Sequence, residues 1–308
     1  MNLVAFLGAI ELGLIFGLVG LGVFLSFRVL NFPDLTVDGS FPLGAATAAT
    51  LIVNGVDPFL ATFIACLAGA AAGLVTAFLN LRFGILHLLA SILTMLALYS
   101  INLRIMGKPN VAIISSPTVL SPFEGLGLAN LYLKPIVAGA VALIGATLLI
   151  RFLISDYGLA MRATGANPRM ARAQGIDTTS MTYVGMAISN ALVGLAGALF
   201  AQMNGFADVT IGTGTIVVGL AAVIVGEALF GTRSVLVWAL GCIAGSVLYR
   251  LVIALALNTD VLGLSSSDLN LVTALLVAIA LVLPGVRNPL RGIFPGRGKG
   301  ATIGMRRD

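Results

Sequence analysis

The chain has 308 residues, of which 59% are hydrophobic and only 9% charged, with a mean hydropathy of +1.08. Soluble domains carry charge on about a quarter of their residues, so a water-soluble globular class is excluded. The net charge of +5 is no nucleic-acid footprint, because the basic residues sort to one side of an apolar scaffold; what remains is an all-α, polytopic membrane protein.

In chain order, apolar runs cover about 3–28, 41–54, 58–81, 84–106, 134–154, 180–203, 213–230, 234–257 and 269–283. A helix needs about 20 residues to cross a bilayer, so the count comes to about nine spans, within eight to ten. A signal peptide would explain one such run, not a series that recurs to the end. Runs 41–54 and 269–283 are short and 213–230 is marginal. They predict discontinuous helices whose irregular backbone is shielded by protein or lines a path. The 37 glycines suit close helix contact. Cys66 and Cys242 fall inside apolar runs and are expected as buried thiols, not as a disulfide or metal site. After Pro284 come Arg287, Arg291, Arg297, Lys299, Arg306 and Arg307, which places the C-terminus in the cytoplasm and, over nine spans, the N-terminus outside. On that topology only Arg104, Lys108, Lys134 and Arg250 of the 17 basic residues lie outside or toward it.

Two stretches repeat. FPDLTV (Phe32 to Val37) and FADVTI (Phe206 to Ile211) stand 174 residues apart, and LVGLGVFL (Leu18 to Leu25) precedes the first as LVGLAGAL (Leu192 to Leu199) precedes the second. The counterpart runs cross in opposite senses, which makes the repeat inverted, the arrangement in which transport paths form between halves. The organisation expected is a single transmembrane domain, 1–308, with repeat 1 at about 3–107, a cytoplasmic loop at 155–179, repeat 2 at about 180–283 and a basic tail at 284–308. Each motif precedes a short helical run that opens on polar residues: Asp38, Gly39 and Ser40 before Phe41, and Gly212, Thr213, Gly214 and Thr215 before Ile216. Ser40 is a candidate cap, and Pro42 is expected in the first turn. The positive ends of these half-helices would face the path and favour a carboxylate. Asp34 and Asp208 would meet a cationic group or cap helix ends, although Asp and Thr are also ordinary turn formers. The candidate path residues are therefore Asp34, Thr36, Asp38, Ser40, Asp208, Thr210 and Thr213.

Between the fifth and sixth runs lies YGLAMRATGANPRMARAQGIDTTS (Tyr157 to Ser180). Asn167 as N-cap, Pro168 at the first helical position and Gly175 as terminator predict a two-turn helix over 168–174. A helix that short is unstable alone, so it must dock on something. Met170, Ala171 and Ala173 give it a small apolar surface, flanked by Arg162, Arg169 and Arg172.

MRATGANPRMARAQGI resembles the coupling-loop motif of permease subunits in bacterial ABC importers of the branched-chain amino acid and ribose type. LGLIFGLVGLGVFLSFRVLNFPD with GSFPLGA is similar to that family's first helix and the stretch after it, and LAAVIVGEALFG to its glycine-ended late helix, with Glu227 standing where many members have glycine. The resemblance spans nearly the whole chain and is nearest to the tryptophan/tyrosine permease branch. It implies that residues 163–175 insert into a groove of a cytoplasmic ATPase, which makes Arg162, Gly165, Asn167, Pro168, Arg169, Met170, Ala171, Arg172 and Gly175 the coupling residues. It also implies a second permease subunit, expected as a homodimer, two ATPases that hold ATP and Mg, an external substrate-binding protein or lipoprotein, and residence in the bacterial inner membrane. No cofactor is expected on this chain itself.

Of the ionisable residues within the runs, Glu11, His87, Glu227 and Arg250 call for weighing. Glu11 stands some eight residues into the first. His87 reads better as a neutral histidine held by a neighbour than as a proton relay, Glu227 as a candidate cap of its span's inner end, and Arg250 as a side chain near a run end. Neither a nucleophile with its base, nor metal-ligand spacing, nor a phosphate-binding glycine loop occurs, so the energy for transport must come from elsewhere. The function expected is an ATP-driven import permease for a small polar solute, most simply an amino acid, with a sugar or nucleoside as the alternative substrate. An autonomous secondary transporter or channel is the competing class, and the capped loop helix argues against it.

Overall fold

The computed structural model describes residues 3–258, apart from 115, 127–129 and 232–233. The expected run at 269–283 and the basic tail lie outside the described residues. Ten α-helices follow one another within them: α1 (Leu3–Val23), α2 (Val37–Val53), α3 (Pro58–Phe83), α4 (His87–Met106), α5 (Asn130–Ile154), α6 (Asp156–Ala166), α7 (Pro168–Ala173), α8 (Thr178–Asn204), α9 (Thr215–Phe230) and α10 (Val235–Asn258). Two three-residue strands, β1 (Asn110–Ala112) and β2 (Phe206–Asp208), pair antiparallel with Asn110 opposite Asp208. Seven segments are long and apolar enough to cross a membrane, and α2 is a shorter apolar helix, so eight of the nine expected runs are helical.

Helix ends follow their local chemistry. Asp57 accepts from the amides of Phe59 and Leu60 ahead of Pro58, which opens α3. Gly84, Gly107 and Gly205 close α3, α4 and α8 in the left-handed conformation. The first helix ends differently from the rest. Residues Phe24–Val29 widen into a π-helix. The Leu30 amide then reaches back to the Leu25 carbonyl at 3.0 Å, and Asn31 takes φ 54° as the chain reverses. Two expected boundaries shift. α2 begins at Val37, four residues before the apolar run, so Pro42 sits in its second turn. The missing proline N–H leaves the Asp38 carbonyl without its helical donor. The segment expected as loop before the coupling helix is itself helical, because Ser155 caps α6 and Gly158, Met161 and Thr164 bury one of its faces.

The helices interlock. α8 lies against α2 and α3, while α1 lies against α9 and α10, so the first helix of each repeat-bearing half seats in the other half. Backbone contact makes this possible. A Cβ added at Gly44 of α2 would fall 2.0 Å from the Gly194 carbonyl oxygen, and one at Gly197 would fall 1.9 Å from that of Phe41. With lipid as solvent there is little hydrophobic drive to pair helices, and such close approach supplies the packing instead. Phe16, Phe41 and Phe200 tie α1, α2 and α8 together, with ring centroids 5.4–6.4 Å apart.

Candidate functional site

The first motif folds into a buried polar cluster. Asp34 has no exposed surface. One carboxylate oxygen accepts from the Thr36 amide at 2.9 Å and the other from Nδ2 of Asn190 on α8 at 2.7 Å. Oδ1 of Asn190 accepts from the Ser40 hydroxyl at 2.7 Å, and the Thr36 hydroxyl pairs with that of Thr76 on α3 at 2.7 Å. Asp34, Thr36 and Ser40 thus bind α2 to α3 and α8, every one of them fully buried. Ser40, expected as a cap, is the fourth residue of α2 and spends its hydroxyl on Asn190; Asp34 meets the amide at the helix entrance in its place.

The second motif is more open. Asp208 accepts from the Thr210 amide at 2.8 Å and the Thr210 hydroxyl at 2.6 Å, and from Asn110 of β1 at 3.2 Å. The Thr210 hydroxyl beside it holds the Asp208 carboxyl below the usual carboxylate range. A single 3₁₀ turn (Val209–Gly212) then leads to α9.

Asp38 joins the two motifs. It stands in the first turn of α2, and its carboxylate accepts from Ile216 N at 2.7 Å and Gly214 N at 3.2 Å, at the N-terminus of α9. The two half-helix starts therefore meet. A Cβ at Gly212 would lie 2.0 Å from the Asp38 carbonyl oxygen, the one that Pro42 leaves without a helical donor. Beside this junction is a cavity of about 210 Å³ lined by Asp38, Thr210 and Thr213 together with Gly39, Pro42 and Val209 and, from α4, Met95, Leu96, Tyr99 and Asn102. Three of the seven expected path residues share this cavity, three lie in the buried cluster, and Asp208 sits at the strand pair. Sequence reasoning did not find Asn190, Thr76, Tyr99 or Asn102; the available signal was an amide or hydroxyl in the middle of an apolar run.

At the far end of the α1 π-helix, Arg28 pairs with Glu227 of α9, whose other oxygen accepts from Nε1 of Trp238 at 2.9 Å. Glu227 therefore ties α9 to α1 and α10, where a cap had been expected. The His87 ring packs edge-on against Phe32 with centroids 4.2 Å apart, and Arg250 lies 4.1 Å over the Phe16 ring. Cys66 and Cys242 are free thiols; Cys242 is buried and Cys66 only partly so.

The loop helix forms as its caps require. Asn167 accepts from the amides of Arg169 and Met170 at 3.2 and 3.1 Å, and Gly175 turns with φ 82°. α7 ends at Ala173, one residue short of the expected 168–174. Only Ala171 of α7 is buried, while Arg162, Asn167, Pro168, Arg169, Met170, Arg172 and Gly175 are exposed. Gly165 backs onto the end of the π-helix, where a Cβ would fall 1.9 Å from the Val29 carbonyl oxygen. The exposed surface is basic and apolar together, with Met170 61% accessible.

Among the described residues no group of three or more His, Cys, Asp or Glu could hold a metal ion. Residues 5–283 match the family described as branched-chain amino acid transport system, permease component. A tyrosine transport system permease protein of Clostridioides difficile is 40% identical over 276 residues, covering 89% of each chain. A probable branched-chain amino acid transport permease of Methanocaldococcus jannaschii, LivH, is 26% identical over 68% of this chain and 69% of its own. The ribose import permease RbsC of Escherichia coli K12 is 25% identical over 81% of this chain and 76% of its own.

Proposed function

The chain belongs to the permease-component family of branched-chain amino acid transport systems, and from that premise we propose that it is the membrane path of an ATP-driven importer of an aromatic amino acid of the tyrosine class. As a multi-pass permease subunit it carries no catalytic site, and it works with ATPase and substrate-binding components. In this reading two copies pair in the bacterial inner membrane. Two separate cytoplasmic ATPases hydrolyse Mg-bound ATP, and an external binding protein delivers the substrate to the outer side. The C-terminus is cytoplasmic and the N-terminus external. α7, with Arg162, Gly165, Asn167, Gly175 and the residues between them, docks in the ATPase groove.

The observation that carries the reading is the 40% identity to a tyrosine transport permease over 89% of both chains. The form of α7 supports the coupling role: a six-residue helix fixed by side-chain and proline caps, turning Met170, Arg169 and Arg172 outward. A helix of that length holds its shape only against a support, and one face of α7 is left open to a partner.

The test reconstitutes the chain with its ATPase and binding protein in proteoliposomes. ATP-dependent uptake of L-tyrosine is expected, with no uptake by the chain alone under an ion gradient. Ala171→Pro, which breaks α7 and leaves the sequence of the membrane helices unchanged, is expected to abolish substrate-stimulated ATP hydrolysis while the complex still purifies intact. Gradient-driven uptake by the isolated chain would overturn the reading, and so would unchanged coupling in the variant. Uptake of ribose or guanosine in place of tyrosine would replace the substrate class.

A further inference from the structure

Helix N-termini at the centre of a transport protein suggest attraction for an anion, but here both half-helix starts are already met by the chain's own carboxylates. Asp34 takes the Thr36 amide ahead of α2, and Asp38 takes those of Gly214 and Ile216 at α9. A helix N-terminus supplies about half a positive charge, so the two starts together do not match the charges of the two carboxylates Asp34 and Asp38. No lysine or arginine lines the cavity beside it, and the Arg28–Glu227 pair is the ion pair found among the described residues. Each carboxylate oxygen retains acceptor capacity after one amide bond. Asn102 adds to this side of the balance. It is wholly buried on the same cavity, its Nδ2 donates to the Gly39 carbonyl at 3.3 Å, and its Oδ1 has no partner among the described residues. Asp38, with no cation beside it, and the buried Asn102 line a small space whose other walls include Pro42, Met95, Leu96 and Tyr99.

We propose that this cavity between α2, α4 and the 209–213 turn is a transit subsite for the ammonium end of the solute: Asp38 holds the charged amine, and the α4 wall, Tyr99 above all, packs on its apolar part. The subsite rests on the transport reading given above and selects the amine, not the carboxylate. Tyr99 is 54% exposed and Thr213 is exposed too, so the cavity can be reached from outside the chain.

The experiment places a cysteine reporter, Thr213→Cys or Tyr99→Cys, in the assembled complex, with Cys66→Ser removing the partly exposed native thiol. Labelling rates are compared for a trimethylammonium-bearing and a sulfonate-bearing methanethiosulfonate. The cationic reagent is expected to react about tenfold faster, with the preference lost in Asp38→Asn and kept in Asp38→Glu. Tyramine, an amine without a carboxylate, is expected to slow labelling, and para-hydroxyphenylpropionate, a carboxylate without an amine, to leave it unchanged. Equal rates for the two reagents, protection by the acid, or no labelling of either reporter would overturn the subsite. A complex that shows the cation preference but takes up no L-tyrosine would instead refute the transport substrate and leave the subsite standing.

Discussion

Asn190 presents an amide whose two ends meet opposite chemistry. Its nitrogen faces an acceptor-only carboxylate at Asp34 and its oxygen faces the Ser40 hydroxyl, so the amide has one orientation that satisfies both. This cluster lies between helices with little else polar around it, and an unmet partner there carries its full desolvation penalty. Asp34→Asn sets an amide nitrogen against an amide nitrogen or loses the bond to the Thr36 amide. The expected cost is about 1–3 kcal/mol, read as a lower melting temperature of the purified protein. Adding Asn190→Asp exchanges donor for acceptor across the contact and is expected to recover part of the loss, although the bond from Asn190 to the Met186 carbonyl goes. If Asp34→Asn melts like the parent yet fails in uptake, Asp34 serves the path and not the fold. Asp34 was legible in the sequence as one half of a repeated motif. Its partner was not, because Asn190 lies 156 residues away and nothing in local spacing joins them.

At the scale of elements, hydropathy located eight helices to within a few residues but gave no account of which helix meets which. The repeats of glycine along α8 carry that information only once the partner backbone is known. At Gly197 the Phe41 carbonyl of α2 occupies the space a side chain would need, whereas at Gly8 of α1 a Cβ would meet nothing within 4 Å. Gly197→Ala is therefore expected to force α2 and α8 apart and to cost about 1–3 kcal/mol or more. Gly8→Ala is expected to be neutral or slightly stabilising by helix propensity. Folded yield and melting temperature of the two variants in one detergent provide the comparison, and equal losses would show that the α2–α8 seam tolerates repacking. The α6 segment escaped sequence reading for a related reason. Glycine has low intrinsic helix propensity, yet the α6 glycines at 158 and 165 both sit against backbone, at Phe152 and Val29, where a side chain could not fit.

For the whole molecule, a repeat in sequence suggests two self-contained halves, and the packing contradicts that picture. α8 brings Asn190 to Asp34 and Ser40, Gln202 to Thr62 of α3 at 2.7 Å, and Ser189 to the Gly22 carbonyl of α1 at 2.7 Å. α1 in turn seats on α9 and α10, with Ser246 donating to the Gly13 carbonyl at 2.8 Å. A fragment ending after α5 would keep the glycine-lined seam of α2 and α3 but lose the helix that fills it. Asp34 and Ser40 would also be stranded in an apolar setting, where unpaired polar groups are costly. We expect residues 1–154 expressed alone to be degraded in the membrane. Co-expression with 155–308 is expected to restore both fragments, and with them ATP-dependent uptake, because the cut falls between helices and severs none of these contacts. Quantifying each tagged fragment in isolated membranes, alone and together, reads the result directly. A first fragment that accumulates and resists protease without its partner would mean that α1 to α5 form a folding unit, and that the exchange of first helices is acquired after folding instead of being required for it.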